Sequence, residues 1–122
     1  MVGMRLAKNP DLVELAKKYE RSLNVLWAVD DKMNIRQVTA LLMVYCDEGQ
    51  PVTHYADKYK IALSVMGRDF LDMGEKNRKG NPGLGLFEKD RTSSDLRKAP
   101  VYLTDQGRVH VEKLLKTFLP QR

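Results

Sequence analysis

Apolar residues recur at spacings of three and four along the N-terminal part of the chain, which is the pattern of an amphipathic α-helix. Asn9 can cap the start of this helix, Pro10 suits its first position, and Asp11 favours the positive end of its dipole. An apolar stripe of this kind needs a partner surface. The stripe consists of Leu12, Leu15, Ala16, Tyr19, Leu23 and Leu26.

A second helix is predicted after the polar segment 30–34, from Ile35 to a terminating glycine at Gly49. The same spacing defines an apolar side of this helix, which we expect to be buried. That side consists of Ile35, Val38, Leu41, Leu42, Tyr45 and Cys46.

Two further helices are predicted on either side of a short turn. Thr53 can cap a third helix that ends near Lys60, and a fourth is expected over 62–75. The fourth helix has a core side formed by Met66, Phe70 and Met73. Its opposite face is small and basic, which is typical of the second helix of a helix-turn-helix motif. That face consists of Ser64, Gly67, Arg68 and Leu71.

A β-hairpin and a last helix complete the pattern. Two short apolar segments, one with Leu84, Leu86 and Phe87 and one over 101–103, lie on either side of the polar connection 90–98. Thr104 then caps a helix whose apolar positions repeat at three and four until Pro120 ends it. The elements predict a mainly α protein with a small β-hairpin wing.

Composition supports one domain with an anionic partner. The chain has 122 residues with a net charge of +5, which allows one compact domain with a real core. Segment 76–98 holds seven basic and three acidic residues, so its surplus of four nearly accounts for that of the whole chain. The calculated pI of 9.4 points in the same direction.

Several function classes are disfavoured by what the sequence lacks. One cysteine, Cys46, and two histidines, His54 and His110, do not supply a zinc site or a disulfide scaffold, so we expect no metal and no cofactor. No nucleophile and base pair is visible, and the glycine-rich segment 80–85 has no preceding strand, which argues against an enzyme. No apolar run is long enough for a membrane span or signal peptide, so a cytoplasmic location is expected.

The chain from about Ile35 to Leu115 resembles the MarR family of winged helix-turn-helix transcriptional regulators, and its most specific part is the segment around the end of the hairpin. Asp95-Leu96-Arg97-Lys98 stands before Leu103-Thr104-Asp105-Gln106-Gly107-Arg108, and the family closes its hairpin and begins its next helix with a similar pattern. The resemblance implies one winged-helix domain over 1–122, with dimerisation helices over 9–27 and 104–119 and a DNA-binding core over 35–103. It also implies a homodimer that binds double-stranded DNA as a regulator, with repression the expected effect.

The resemblance also assigns candidate DNA contacts. Ser64, Gly67 and Arg68 would face the major groove, and Arg97 would be the arginine at the wing tip that enters the minor groove. Two features depart from the family pattern: Ala62, Leu63 and Val65 replace residues that are usually polar, and 76–83 is an insertion. The remaining basic residues are expected to contact phosphates or grooves through their charge. These are Lys76, Arg78, Lys79, Arg91 and Lys98.

Each assignment has an alternative. Arg68 could simply pair with Asp72 one turn later, and Gly67 could serve close packing against another helix. Cys46 is either an inert small hydrophobe or a redox-sensitive thiol, as in some MarR relatives. The domain could be a monomeric accessory winged helix, or a protein-interaction module that docks a partner on Ala62, Leu63, Val65 and Leu71. A small-molecule effector is possible, but the sequence identifies no pocket for it.

Overall fold

A computed structural model describes residues 6–75, 80, 82–90 and 98–120. Within these residues the chain folds into five helices and a two-stranded antiparallel sheet, and none of the helices has the length and apolarity to cross a lipid bilayer. The expected class, mainly α with a β-hairpin wing, is confirmed. In chain order the elements are α1 (Pro10–Trp27), α2 (Ile35–Cys46), α3 (Val52–Lys58), α4 (Leu63–Asp72), β1 (Phe87–Lys89), β2 (Val101–Leu103) and α5 (Asp105–Lys116).

The two terminal helices lie against each other. As predicted, the side chain of Asn9 caps α1 by accepting a hydrogen bond from the backbone N–H of Asp11 at 2.8 Å. Near the far end of α5, the ring of Phe118 meets Tyr19 of α1 edge-on, with ring centres 4.8 Å apart. Of the predicted α1 stripe, only Leu26 is fully buried in this chain, so the stripe mostly faces away from the core.

Helix α2 is shorter than predicted and rotated relative to the expectation. It ends at Cys46 rather than Gly49, and its buried stripe is centred on Ala40, Leu41 and Val44. Ile35 is 86% exposed and Cys46 is exposed, so the prediction that they are buried was wrong. Because α2 is apolar around most of its circumference, its sequence period does not reveal which side meets the core.

Helices α3 and α4 form the predicted helix-turn-helix with different boundaries. Pro51 rather than Thr53 occupies the cap position of α3, and α4 ends at Asp72, three residues before the predicted end at 75. The fixed φ of proline suits an extended cap residue, so α3 begins without a side-chain cap hydrogen bond. Aromatic stacking ties the motif to the wing: Phe70 lies 5.7 Å from the Tyr55 ring and 4.6 Å from the Phe87 ring.

The wing is a short hairpin in which Phe87 pairs with Leu103 and Lys89 pairs with Val101. Leu84 and Leu86 precede β1 instead of belonging to it, which corrects the predicted first strand. Val101 also bridges to Gln50, so the turn between α2 and α3 adds a third backbone segment to the sheet. These hydrogen bonds fix the hairpin stem against the helical core.

The start of α5 explains the sequence Leu-Thr-x-x-Gly-Arg in physical terms. The hydroxyl of Thr104 accepts from the backbone N–H of Gly107 at 2.9 Å and donates to the carbonyl of Gly85 at 2.6 Å. A Cβ at Gly107 would lie 2.2 Å from the carbonyl oxygen of Leu86, so only glycine fits there. Arg108 forms an ion pair with Glu48, which also accepts a hydrogen bond from the backbone of β2. The motif therefore joins α5 to the wing.

Candidate nucleic-acid interface

The outer face of α4 is the centre of the candidate interface. Its inner side is buried through Met66, Asp69 and Phe70. The opposite side presents the residues expected from the sequence: Ser64 and Arg68 are exposed, and Gly67 is partly exposed between them. The fold thus brings these three predicted contact residues together on one accessible surface.

Gly67 has free space where a side chain would be. Beyond the adjoining backbone of its own helix, a Cβ built at this position meets no atom of the described residues within 4 Å, although Gly67 lies in the interior of α4. Close packing of Gly67 against another of the described helices, one of the two alternatives for this residue, is therefore not observed. A glycine in a helix interior costs about 0.5–1 kcal/mol relative to alanine. Within the part of the chain that the structure describes, no close contact at Gly67 accounts for that cost.

Arg68 is exposed beside Gly67. The structure describes both Arg68 and Asp72 and shows no hydrogen bond or ion pair between them, so the alternative of a simple pair one turn apart is not observed. Its guanidinium carries five donors in a planar arrangement suited to two parallel hydrogen bonds. Because it is exposed, this group is accessible to an anionic partner on the outer face of α4.

A partly buried ion pair holds α4 in place. Asp69 is only 3% exposed, and both of its carboxylate oxygens accept hydrogen bonds from the guanidinium of Arg36 at the start of α2, one of them at 3.1 Å. These hydrogen bonds raise the pKa of Arg36. The sequence reasoning missed this pair. Its signal was an acidic residue within the otherwise apolar stripe of Met66, Phe70 and Met73, because a charge on a core-facing position needs a partner.

The N-terminal end of α4 is unusually unsupported. Ala62 occupies the cap position and offers no side-chain hydrogen bond to the first turn. In the preceding turn, Lys60 adopts a positive φ of 55°, a conformation that favours glycine. Lys58 and Lys60 are both exposed here, so the helix-turn-helix carries positive charge at the point where α4 begins.

The basic residues of the wing are described only in part. Lys98 is exposed just before β2, as expected of a charge available to a partner. Lys89 in β1 is half-buried, and burial lowers its pKa. The other predicted wing and linker contacts lie outside the described residues. These are Lys76, Arg78, Lys79, Arg91 and Arg97.

Apolar residues also reach the surface around α4. Leu63 is 44% exposed and Leu71 is 42% exposed, whereas Val65 is partly buried at the flank of the helix. Together with the exposed Ala62, they form the patch that the protein-interaction alternative requires. The patch is not separate from Arg68, because Leu63 and Leu71 lie one turn to either side of Gly67.

A second exposed surface lies on α1. Its large apolar side chains are between 46% and 63% exposed, which leaves most of the predicted stripe uncovered. Trp27, at the end of the helix, extends this surface and was not included in the prediction. The members are Leu12, Leu15, Tyr19, Leu23 and Trp27.

Between α1 and α5 lies a cavity of about 530 Å³ that the sequence did not reveal. Basic side chains from both helices, Arg21 and Lys113, line it together with His110. Asn24 and Gln106 add polar groups, and the remaining lining is Val25, Ala28, Val29 and Leu84. Among the described residues no group of histidine, cysteine or acidic side chains is arranged to hold a metal ion.

Comparison with known proteins identifies the fold. No protein-family model matches the sequence, and no curated protein matches it. Solved structures do match. The crystal structure of RV1404 from Mycobacterium tuberculosis has a TM-score of 0.60 and 18% identity over 94% of this chain and 77% of that chain. That of MarR has a TM-score of 0.58 and 15% identity over 89% and 75%.

A DNA-bound structure is also among the matches. The transcriptional repressor CouR, bound to a 23-mer DNA duplex, has a TM-score of 0.55 and 23% identity over 93% of this chain and 79% of that chain. The chain has the fold of the MarR-family transcriptional regulators. The resemblance predicted for about 35–115 is therefore confirmed as a likeness of the fold.

Proposed function

We propose that this protein is a cytoplasmic transcriptional regulator that binds double-stranded DNA as a homodimer. In this proposal α4 enters the major groove and the basic wing reaches the minor groove, and occupation of a promoter represses transcription. The proteins that share its fold are transcriptional regulators, and CouR is bound to DNA in its structure. No enzymatic activity is assigned.

The observation that carries the proposal is the outer face of α4. Outside its own helix, Gly67 has no atom of the described residues within 4 Å of a Cβ, and the exposed Arg68 beside it has no ion pair with Asp72. A helix that lies in a groove needs a close approach of its backbone and a free hydrogen-bond donor at the same place. A domain that binds no partner needs neither the close backbone approach nor the free donor.

Roles follow from position and chemistry. Arg68 donates two hydrogen bonds to a guanine edge, and Ser64 bonds to a base or a phosphate one turn earlier. Lys98 contacts the DNA backbone from the base of the wing. We assign the same electrostatic role to Lys76, Arg78, Lys79 and Arg91, and the minor-groove contact to Arg97.

Dimerisation is assigned to the terminal helices. The apolar face of α1 is too continuous to be left in water, and a two-fold interface would cover the same stripe on both chains. Analytical ultracentrifugation tests this. We expect a dimer for the wild type and a monomer for Leu15→Asp combined with Leu23→Asp, because each carboxylate would be buried without a partner. A monomeric wild type at micromolar concentration would contradict this part of the proposal.

DNA binding is tested by fluorescence anisotropy with random duplex DNA at several salt concentrations. We expect affinity to fall steeply as salt rises, because cations on the protein displace counterions from the phosphates. Arg68→Ala should weaken binding, whereas Lys17→Ala, which removes an exposed charge from α1, serves as the matched control. Absence of binding at low salt would reject the proposal and favour the protein-docking alternative on Leu63 and Leu71.

We further infer that the cavity between α1 and α5 accepts a small organic anion as effector. Arg21 and Lys113 provide the complementary charge, His110 adds a polar ring, and the cavity volume is adequate for a small ligand. The PcaV regulator, which shares the fold, was crystallised with its natural ligand. Thermal-shift screening against carboxylates of this size tests the inference, with Arg21→Ala expected to abolish any stabilisation.

A further inference from the structure

The chemistry available on α4 restricts which bases it can read. Between positions 62 and 72 the chain contains no Asn, Gln, Lys or Glu, so it lacks the amide side chains that make paired hydrogen bonds to adenine. Asp69 is buried with Arg36, which leaves Arg68 as the guanine-reading group of the helix. The other distinctive major-groove feature of an A·T pair is the 5-methyl group of thymine, which apolar side chains recognise.

The apolar residues of α4 are arranged to receive such a group. Leu63, Gly67 and Leu71 follow one another at intervals of four and therefore form one ridge along the exposed side of the helix. The two leucines are 44% and 42% exposed, and outside the helix's own backbone no atom of the described residues lies within 4 Å of a Cβ at Gly67. The ridge thus has a gap at its centre, with an apolar side chain about 6 Å away on each side.

A parallel ridge carries the polar groups. Ser64 and Arg68 are also four residues apart, and both are exposed next to the leucine ridge. A group that entered the gap over Gly67 would therefore be adjacent to whatever the guanidinium of Arg68 contacts.

We propose that the gap over Gly67 is a binding site for the 5-methyl group of a thymine that lies next to the guanine read by Arg68. This proposal rests on the proposed function, because it requires α4 to lie in the major groove. Leu63 and Leu71 line the two sides of the site, and the missing side chain of Gly67 provides the space. The ridge then selects A·T pairs without any hydrogen bond to adenine.

The surrounding charge favours DNA as the occupant of this face over an apolar protein partner. Lys58 and Lys60 are exposed just before α4, Arg68 lies within the face, and Lys98 is exposed at the base of the wing. A purely apolar docking patch would be surrounded by desolvated cations without partners, whereas phosphates on both sides of a groove would neutralise them.

The test removes one methyl group from the DNA and, separately, adds one methyl group to the protein at the proposed site. A duplex selected by the wild type from a random library is resynthesised with deoxyuridine in place of each thymine in turn, which removes the 5-methyl group alone. For the wild type we expect one substitution to weaken binding about fourfold, the value of one buried methyl group. Gly67→Ala adds a methyl group at the same place, so its preference should reverse: it binds the thymine duplex more weakly than the deoxyuridine duplex.

Controls separate this proposal from the one on which it rests. Gly67→Ala should be more stable than the wild type to urea, which shows that weak binding does not arise from misfolding. Ile35→Ala, which shortens an exposed apolar side chain outside α4, should keep the wild-type preference for thymine.

Two outcomes overturn the thymine site while leaving DNA binding intact. One is a wild type that binds thymine and deoxyuridine duplexes equally at every position. The other is a Gly67→Ala variant that is impaired equally on both duplexes, which would mean that Gly67 serves general backbone approach. Failure to select any duplex would instead reject the proposed function, and binding of a partner protein at Leu63 and Leu71 would then identify the face as a docking surface.

Discussion

Helix α5 begins after its cap residue Thr104, whose hydroxyl satisfies a backbone N–H of the first turn and the carbonyl of Gly85 just before β1. Helix α4 begins after Ala62, which can satisfy neither. The glycines differ in the same way: Gly107 in α5 contacts the backbone of Leu86 so closely that a side chain is impossible, whereas Gly67 in α4 faces open space. Lys60 before α4 adds a positive φ at a residue that is not glycine.

The contrast separates two kinds of constraint. Around α5, each unusual residue has a partner within the chain, so its identity is explained by stability. Around α4, the unusual residues have no such partner, and each costs stability that a different residue would restore. Residues that cost stability in this way are concentrated at functional sites, because binding rather than folding determines which residue type is present there. Substitutions at the glycines, the cap residues and the partly buried ion pair of these helices test this comparison.

The largest effect is expected for Gly107→Ala. Its methyl group would overlap the carbonyl of Leu86, and overpacking of this kind costs about 2–3 kcal/mol. Gly67→Ala is the matched control and should raise the free energy of unfolding by about 0.5–1 kcal/mol. Urea denaturation measures both. If the two substitutions had effects of the same sign, the distinction between the two helices would fail.

The second effect concerns the inner side of α4. As around α5, we expect residues there to contribute to stability through partners within the chain. Asp69→Asn removes a buried carboxylate that accepts two hydrogen bonds from Arg36, and hydrogen bonds to charged groups contribute about 1.5–3 kcal/mol. We expect a loss of about 2 kcal/mol in the free energy of unfolding. Asp57→Asn, which changes an exposed carboxylate on α3, is the control, and an equal loss in both variants would contradict the anchoring role of Asp69.

The third effect compares the two helix caps directly. Thr104→Ala should lower the free energy of unfolding by about 1 kcal/mol, because it removes a side-chain cap. Ala62→Ser should raise it by about the same amount, because serine can bond to an unsatisfied N–H of α4. Thermal unfolding of the single variants checks the opposite signs. A destabilised Ala62→Ser variant would show that α4 already has a cap partner.

The smallest effect is expected at the turn between α3 and α4. Lys60→Gly relieves about 1–2 kcal/mol of left-handed strain, and the greater freedom of glycine in the unfolded chain offsets part of it. The net gain should be about 0.5 kcal/mol, measurable by urea denaturation. Lys58→Gly, within helix α3, should instead be destabilising, and a loss of stability in both variants would remove the case for strain at Lys60.

Much of the fold followed from the sequence because local signals and the core agreed. The caps at Asn9 and Thr104, the apolar spacing of α1 and α5, and the glycine and proline signals around the wing placed most elements in the right order. The ends of α2 and α4 and the starts of α3 and β1 were wrong by a few residues. Proline at position 51 replaced the expected threonine cap, and pairing with β2 rather than apolar character determined where β1 begins.

The features of the candidate site also fall into two groups: those that the sequence predicted and those that only the structure showed. The sequence predicted that Ser64, Gly67 and Arg68 share a face, because helical geometry alone determines which residues lie together. It did not predict the Arg36–Asp69 pair, the exposure of Ile35 and Cys46, or the cavity between α1 and α5. Each of these depends on residues far apart in the chain or on which side of an apolar helix meets the core.

The sequence by itself therefore determined the order of the elements, the charge, and the residues that share the outer face of α4, since all of these depend on neighbours within a few residues. Only the tertiary structure decided what that face contacts within the chain. The same residue type, glycine, is required by packing at Gly107 and left free at Gly67. Local sequence does not encode that difference, because it depends on where the backbone of Leu86 passes in space.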